Sequence, residues 1–317
     1  MSTNVPRSTP NGLVLTLRAH GYTAQVATVG AAVASLEYQG RALVRSFDPD
    51  GVRPVYAGAL LAPWPNRVID ARYSWDGAEH QLAITEPARG HALHGLVVNT
   101  DFQLVEHSES SVQLSALIPV QEGYPAAVRL DVEFTLGSEG LRTVATATNH
   151  GPGEVPFGWG SHSYLVAPGG SVDEWILHLP AENIQLTEGE RLIPQGTVRV
   201  REQAPELDFQ TPRPLGSTFI DHAYTGLAAS SAGIYRVSVT DATGAGSQMT
   251  WDQACPWVQI HTADRPEPEL NRTGLAVEPM TCPPDAFNSG ADVVRLVPGA
   301  SHEAAWTIGA VGAADSE

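Results

Sequence analysis

The 317-residue sequence predicts an all-β chain folded as an antiparallel sandwich. Three observations carry that expectation. Short runs alternate apolar and polar residues with a period of two, turn signals separate them, and no stretch shows convincing amphipathic helical spacing. The 30 glycines and 24 prolines are spread over the whole length, as a chain of many strands and turns requires. No fixed-period repeat is visible, so propeller and β-helix architectures lose weight.

In chain order, "LVLTLRA" (13–19), "YTAQVATVG" (22–30) and "AVASLEYQGRALV" (32–44) read as strands, the last folded back at Gln39-Gly40. A hairpin at Asp76-Gly77 is expected within 71–83. Two longer hairpins are expected over 101–118 and 127–151, with Ser- and Gly-containing loops. Further strands are expected at "WILHLPA", "IYRVSVTDATGAGSQMTW", "WVQIHTA", "GLAVEP" and "HEAAWTI". Two long stretches, 47–68 and 188–224, break the alternation. Long loops in a compact domain are often functional, and both hold aromatic residues, so they are expected to be ordered and to build a site. No low-complexity linker divides the chain. One domain over 12–310 is expected, with a flexible N-terminus at 1–11 and a flexible tail at 311–317.

Lys and Arg total 18 against 35 Asp and Glu, a formal charge of −17. This balance opposes binding to a phosphate backbone or an anionic membrane surface, and suits a small neutral ligand. Cys255 and Cys282 belong to no CxxC motif. The start, "MSTNVPRSTPNG", lacks the apolar core of a signal peptide, and no run of about 18 apolar residues occurs. A cytoplasmic location is expected.

Five stretches could carry chemistry. In "TGLAVEP", Leu275 and Val277 alternate with Ala276 and Glu278, so Glu278 points to the opposite sheet face. It is either a rim carboxylate held by an arginine or a proton acceptor in a sugar pocket. "LLAPWPNRV" stiffens the chain with Pro63 and Pro65 before Asn66 and Arg67. The guanidinium there either closes a structural salt bridge or presents a fork of donors to a ligand. "GHALHGLV" contains His91 and His94, whose spacing raises a metal site. The flanking glycines and valines oppose a helix and no third ligand is near, so His94-Gly95 reads better as a constrained donor. In "VPFGWGSHSYLVAP", Phe157 and Trp159 are candidates for an aromatic floor beneath a sugar, and His162 for a catalyst. In "FIDHAYTGL", Asp221 is placed in a loop, either as an Asx turn or as a grip on two hydroxyls. The sequence has no G-x-S-x-G elbow, phosphate-cradling loop or dinucleotide fingerprint. A Glu/His pair suits removal of one proton and delivery of another.

With these residues assembled, the chain resembles the aldose 1-epimerases, the galactose mutarotase family, from about residue 12 to 310. The resemblance rests on Asn66-Arg67 in "PWPNRV", His94-Gly95, His162 in "GSHSYL", Asp221 in "IDHAY" and Glu278, with "EPMTCPPDAFN" around and beyond the glutamate. Ser163 and Leu165 stand where members commonly have proline and phenylalanine, and Ala71 where a glycine is frequent. The resemblance implies a large distorted β-sandwich with an open cleft on one sheet. It implies Glu278 as base and His162 as acid, with Asn66, Arg67, His94 and Asp221 binding a monosaccharide. It also implies no metal or other cofactor, and a monomer or weak homodimer is expected. The alternatives are a hexose-6-phosphate 1-epimerase, which would need cations such as Arg53, Arg72 and Arg89, and a non-catalytic carbohydrate-binding domain. A glycoside lyase or hydrolase is a weaker option.

Overall fold

The structure is a computed structural model that describes residues 7–312. The expected flexible ends lie largely outside that range. Within it, Arg7–Thr9 pairs antiparallel with the start of Gly12–Ala19.

Among the described residues, three large antiparallel sheets build the molecule, with three two-stranded ladders beside them. Residues 7–42 form a five-stranded meander, which packs against the middle of a nine-stranded sheet. That second sheet is built on the long hairpin Val128–Gly137 and Gly140–Asn149, continued by Ser301–Val311 and the hairpin Tyr235–Thr240 and Gly246–Trp251. The third sheet runs, from one edge, through Ile193–Arg199, Ala181–Glu188, Asp221–Leu227, Trp257–His261 and Leu275–Met280 to the short strands Gly160–Ser161 and Leu60–Leu61; Ser163–Leu165 also pairs with Leu275–Met280. The α-helices among the described residues are single turns, Val200–Gln203 and Ala286–Ser289. The fold is therefore the all-β distorted sandwich expected from sequence.

Most of the expected strands follow from their alternation. Val128–Gly137 buries Val128, Leu130, Val132, Phe134 and Leu136 and leaves the intervening residues outward. The turn residues Gln39-Gly40 and Asp76-Gly77 all take positive φ, the conformation of a tight hairpin whose twist matches its strands. Leu275–Met280 is buried on both faces. Leu275 and Val277 join the main core, while Ala276 and Met280 pack in two smaller clusters on the face that carries Glu278.

The expectation of an irregular stretch over 188–224 needs correction. Ile193–Arg199 pairs with Ala181–Glu188, and two single turns, Val200–Gln203 and Pro205–Leu207, follow. Pro194 and Gly196 hide the strand in the sequence, and they are tolerated because it is an edge strand with a register shift at Leu186/Thr187. Asp221 is likewise not in a loop: it opens the strand Asp221–Leu227.

Candidate active site

Three adjacent strands of the third sheet aim polar side chains at one spot. Gln259 is the direct cross-strand partner of Glu278, and Asp221 pairs with His261 one pleat away. On the other side of Glu278, the pairs Gly160↔Met280 and Ser163↔Val277 set a register that puts His162 opposite Glu278. Because side chains alternate across a strand, Asp221, His261, Gln259 and Glu278 share one face. His162 Nε2 lies 3.6 Å from Glu278 Oε1.

The facing wall comes from the 47–68 stretch and its partner. Leu93 pairs with Arg67 in a two-residue ladder, and the His94 N–H donates to the Asn66 carbonyl (2.8 Å). Asn66 (φ 53°) and His94 (φ 62°) are both left-handed, a conformation in which Asn and His are enriched. Gly95 follows at φ 76°, and a Cβ there would lie 2.1 Å from the Ala62 carbonyl oxygen. Only glycine fits that approach, so His94 is held rigidly at the rim of the ladder. The sheet and this wall enclose a cleft of about 340 Å³. Asn66, Arg67, His94, His162, Asp221 and Glu278 all line it, so the six residues singled out from sequence are brought together.

Arg67 closes the structural salt bridge of its first sequence reading, and it does so at the cleft wall. Its Nε donates to Glu86 Oε2 at 2.8 Å and its Nη2 to Glu86 Oε1 at 3.1 Å, a buried bidentate pair that also borders the cleft. Burial alone would weaken the guanidinium's hold on its proton. The bond to Glu86 and the fields of Asp221 and Glu278 outweigh that and raise its pKa. Asp221 is pushed up by burial, but His261, Arg67 and a 2.7 Å bond from Gln259 Nε2 leave it below the usual carboxylate range.

Glu278 and His162 are displaced in opposite senses. Burial, with the charge of Asp221, raises the Glu278 carboxyl well above its ordinary value, and Arg67 only partly offsets this. Burial, reinforced by His261, pushes His162 down to about 3. Burial, with His162 second, also lowers His94 well below its usual value. Four buried polar atoms of the cleft, Glu278 Oε2, His162 Nδ1, His94 Nδ1 and Gln259 Oε1, have no hydrogen-bond partner. Leaving such an atom unpaired costs about 1–3 kcal/mol, so their concentration in one cleft marks a place for a polar ligand.

One sequence reading does not survive. Phe157 and Trp159 form no sugar floor. Both are fully buried in the main core, in a T-shaped pair with centroids 4.8 Å apart. The aromatic rings that do border the cleft are Tyr56, edge-on to His94 at 4.9 Å, and the exposed Phe219. His91 is spoken for: its Nδ1 accepts from the Asp70 N–H and its Nε2 meets the Arg191 carbonyl at 3.0 Å. No cluster of three or more metal-ligating side chains occurs among the described residues.

Gln259, His261, Glu86 and Tyr56 are cleft residues that sequence reasoning missed. Gln259 and His261 carried a signal, since two polar residues at i and i+2 in the apolar strand "WVQIH" must share a face. Glu86 in "TEP" and Tyr56 in "PVYAG" carried none.

The fold is an all-β antiparallel sandwich, and polar and titratable side chains from one sheet and a facing loop wall converge on its cleft. The family model for aldose 1-epimerase matches residues 13–308, and the chain belongs to that family. It is 35% identical over 300 residues to the uncharacterized protein YihR of Escherichia coli K12, covering 94% of this chain and 93% of that one. It is also 30% identical over 167 residues to galactose mutarotase of Rattus norvegicus, covering 51% and 47% of the two chains. Among solved structures it is similar to a putative aldose 1-epimerase of E. coli K12, with TM-score 0.81, 23% identity and coverage of 94% and 98%. A galactose mutarotase-like protein of Clostridium acetobutylicum matches with TM-score 0.83, 16% identity and coverage of 96% and 97%. At these identities the structural likenesses speak for the fold.

Proposed function

We propose that the protein is a cytoplasmic aldose 1-epimerase that interconverts the α and β anomers of a free hexose or a close derivative. The observation that carries this reading is the Glu278–His162 pair, 3.6 Å apart at the buried end of a cleft whose polar atoms await a ligand. In the forward step Glu278 takes the proton of the C1 hydroxyl while His162 protonates the ring oxygen, and the hemiacetal opens. Rotation about C1–C2 turns the other face of the carbonyl to the pair, and reversed proton flow closes the ring as the second anomer.

The displaced proton affinities make each group strong in its role but scarce in the state that the role needs. Near neutral pH His162 is unprotonated before substrate binds, so substrate binding has to raise its proton affinity. Without its proton, Glu278 is a stronger base than a free glutamate. With its proton, His162 is a stronger acid than a free histidine. The opened and closed states differ by the position of protons shared between the pair and the sugar, so the reaction consumes no redox equivalent. Asp221, His94, Arg67 and Asn66 would hold the remaining hydroxyls. Both cysteines are free and buried, in keeping with a reducing compartment.

Of the cations suggested for the phosphohexose alternative, Arg53 and Arg72 lie outside the cleft, whereas Arg89 lines it bound to Glu86, and Arg265 lines it too. Arg53 bonds the Val29 and Val98 carbonyls, Arg72 bonds Gln81, and Arg89 bonds Glu86 and the Glu190 carbonyl. Polarimetry of freshly dissolved α-D-glucose and α-D-galactose is expected to show equilibration faster than in buffer, and NMR exchange should show no advantage for glucose 6-phosphate over glucose. Buffer-rate exchange across a panel of sugars would remove the enzyme reading and leave a carbohydrate-binding domain.

A further inference from the structure

Arg67 lies in the field of three carboxylates, Glu86, Asp221 and Glu278, yet its ion pair is with Glu86. Nε and Nη2 form the fork to Glu86, and the remaining Nη1 reaches only Asn66 Oδ1 at 3.4 Å. Glu86 is itself held from outside, where Arg89 Nη1 donates to its Oε1 at 2.7 Å. Asp221 instead accepts from Gln259, and Glu278 Oε2 has no partner. A guanidinium matches a carboxylate so well that a buried, unanchored Arg67 would turn to the next one in reach. At Glu278 such a pair would tie up the proposed base, and at Asp221 it would occupy the proposed hydroxyl acceptor.

We propose that Glu86 is a positioning residue that holds the Arg67 guanidinium off Glu278 and Asp221 and so keeps both carboxylates open to the substrate. The inference rests on the mutarotase reading for its functional meaning but not for its test. Glu278 is faced by Arg67 from the loop wall, by Asp221 from the strand Asp221–Leu227, and by His162 and Tyr164 from the segment beside Leu275–Met280. His94, His261, Asp264 and Arg265 also belong to this charged surround.

The test compares wild type, Glu86→Gln, Arg67→Gln and the double variant. It follows the pH dependence of kcat/KM and, independently of activity, the titration of the Glu278 carboxyl by carbon NMR. In Glu86→Gln the Glu278 titration is expected to fall by about one pH unit or more as Arg67 moves onto it, with kcat/KM down about tenfold or more. On the Arg67→Gln background the same substitution should leave both readouts where Arg67→Gln put them. A Glu278 titration unmoved by Glu86→Gln would make Glu86 a merely structural partner and overturn the proposal. An equal shift with and without Arg67 would show a direct field effect of Glu86 and overturn it too. If Glu86→Gln fails to fold, Glu86→Asp, which keeps the charge but shortens the fork, takes its place in the same comparison, and an unmoved Glu278 titration there overturns the proposal. A wild type that catalyses no anomer exchange but shows the Arg67-dependent shift would remove the mutarotase reading and keep the positioning role.

Discussion

Glu278→Gln will lower turnover by about 10²–10⁴-fold, the usual worth of a placed base, while making the protein more heat-stable at pH 8. The second half follows from linkage. The folded state holds the Glu278 proton more tightly than the unfolded chain does, because burial and Asp221 oppose its charge. Its contribution to stability is therefore full below the ordinary glutamate pKa and is lost as pH rises through the raised folded value. Glutamine keeps the shape and never ionises, so its advantage should be absent near pH 4 and grow above it. His162 acts in the opposite sense: held near 3, it favours the fold above its ordinary pKa and ceases to do so as pH falls toward 3. That contribution is present in both proteins and cancels in the comparison. Thermal unfolding at pH 4 and pH 8, beside anomer-exchange rates, checks both halves. An equal shift in melting temperature at the two pH values would mean that the buried acid is not its source.

Trp159→Ala should destabilise the protein by about 3–5 kcal/mol, as expected for truncating a large side chain in a packed core. Trp159 is fully buried, edge-to-face with Phe157, and its backbone N–H donates to the Thr281 hydroxyl oxygen at 2.9 Å. Chemical denaturation would measure the loss, and the KM of the remaining folded protein should be unchanged. A variant that kept its stability and lost sugar affinity would restore the aromatic-floor reading that the structure contradicts.

That contrast shows how far sequence reached. Strand identity was legible wherever one face is buried, as in Val128–Gly137, because period two survives any tertiary context. It failed at Ile193–Arg199, where an edge position admits the Pro194 and Gly196 that a central strand would reject. "PFGWG" spaces its aromatics as a binding platform would, but spacing cannot say which side of a strand meets the core, and here Phe157 and Trp159 both do. The polar residues of the candidate site were findable as chemical types. What the chain order conceals is their register: residues 162, 259 and 278 become neighbours only through strand pairing. Glu86 was invisible for a related reason, since its meaning lies wholly in the arginines it touches.

The two sides of the cleft rest on different foundations. Glu278, Gln259 and Asp221 stand on consecutive ladder strands, whereas Asn66 and His94 hang from left-handed turns and a two-residue ladder. Insertions and substitutions are absorbed far more readily in such connecting segments than in interior strands. Under the proposed function, a lineage can therefore re-cut the outline of its accepted ligand by editing one bank of the cleft, while the strands of the opposite bank are inherited unaltered.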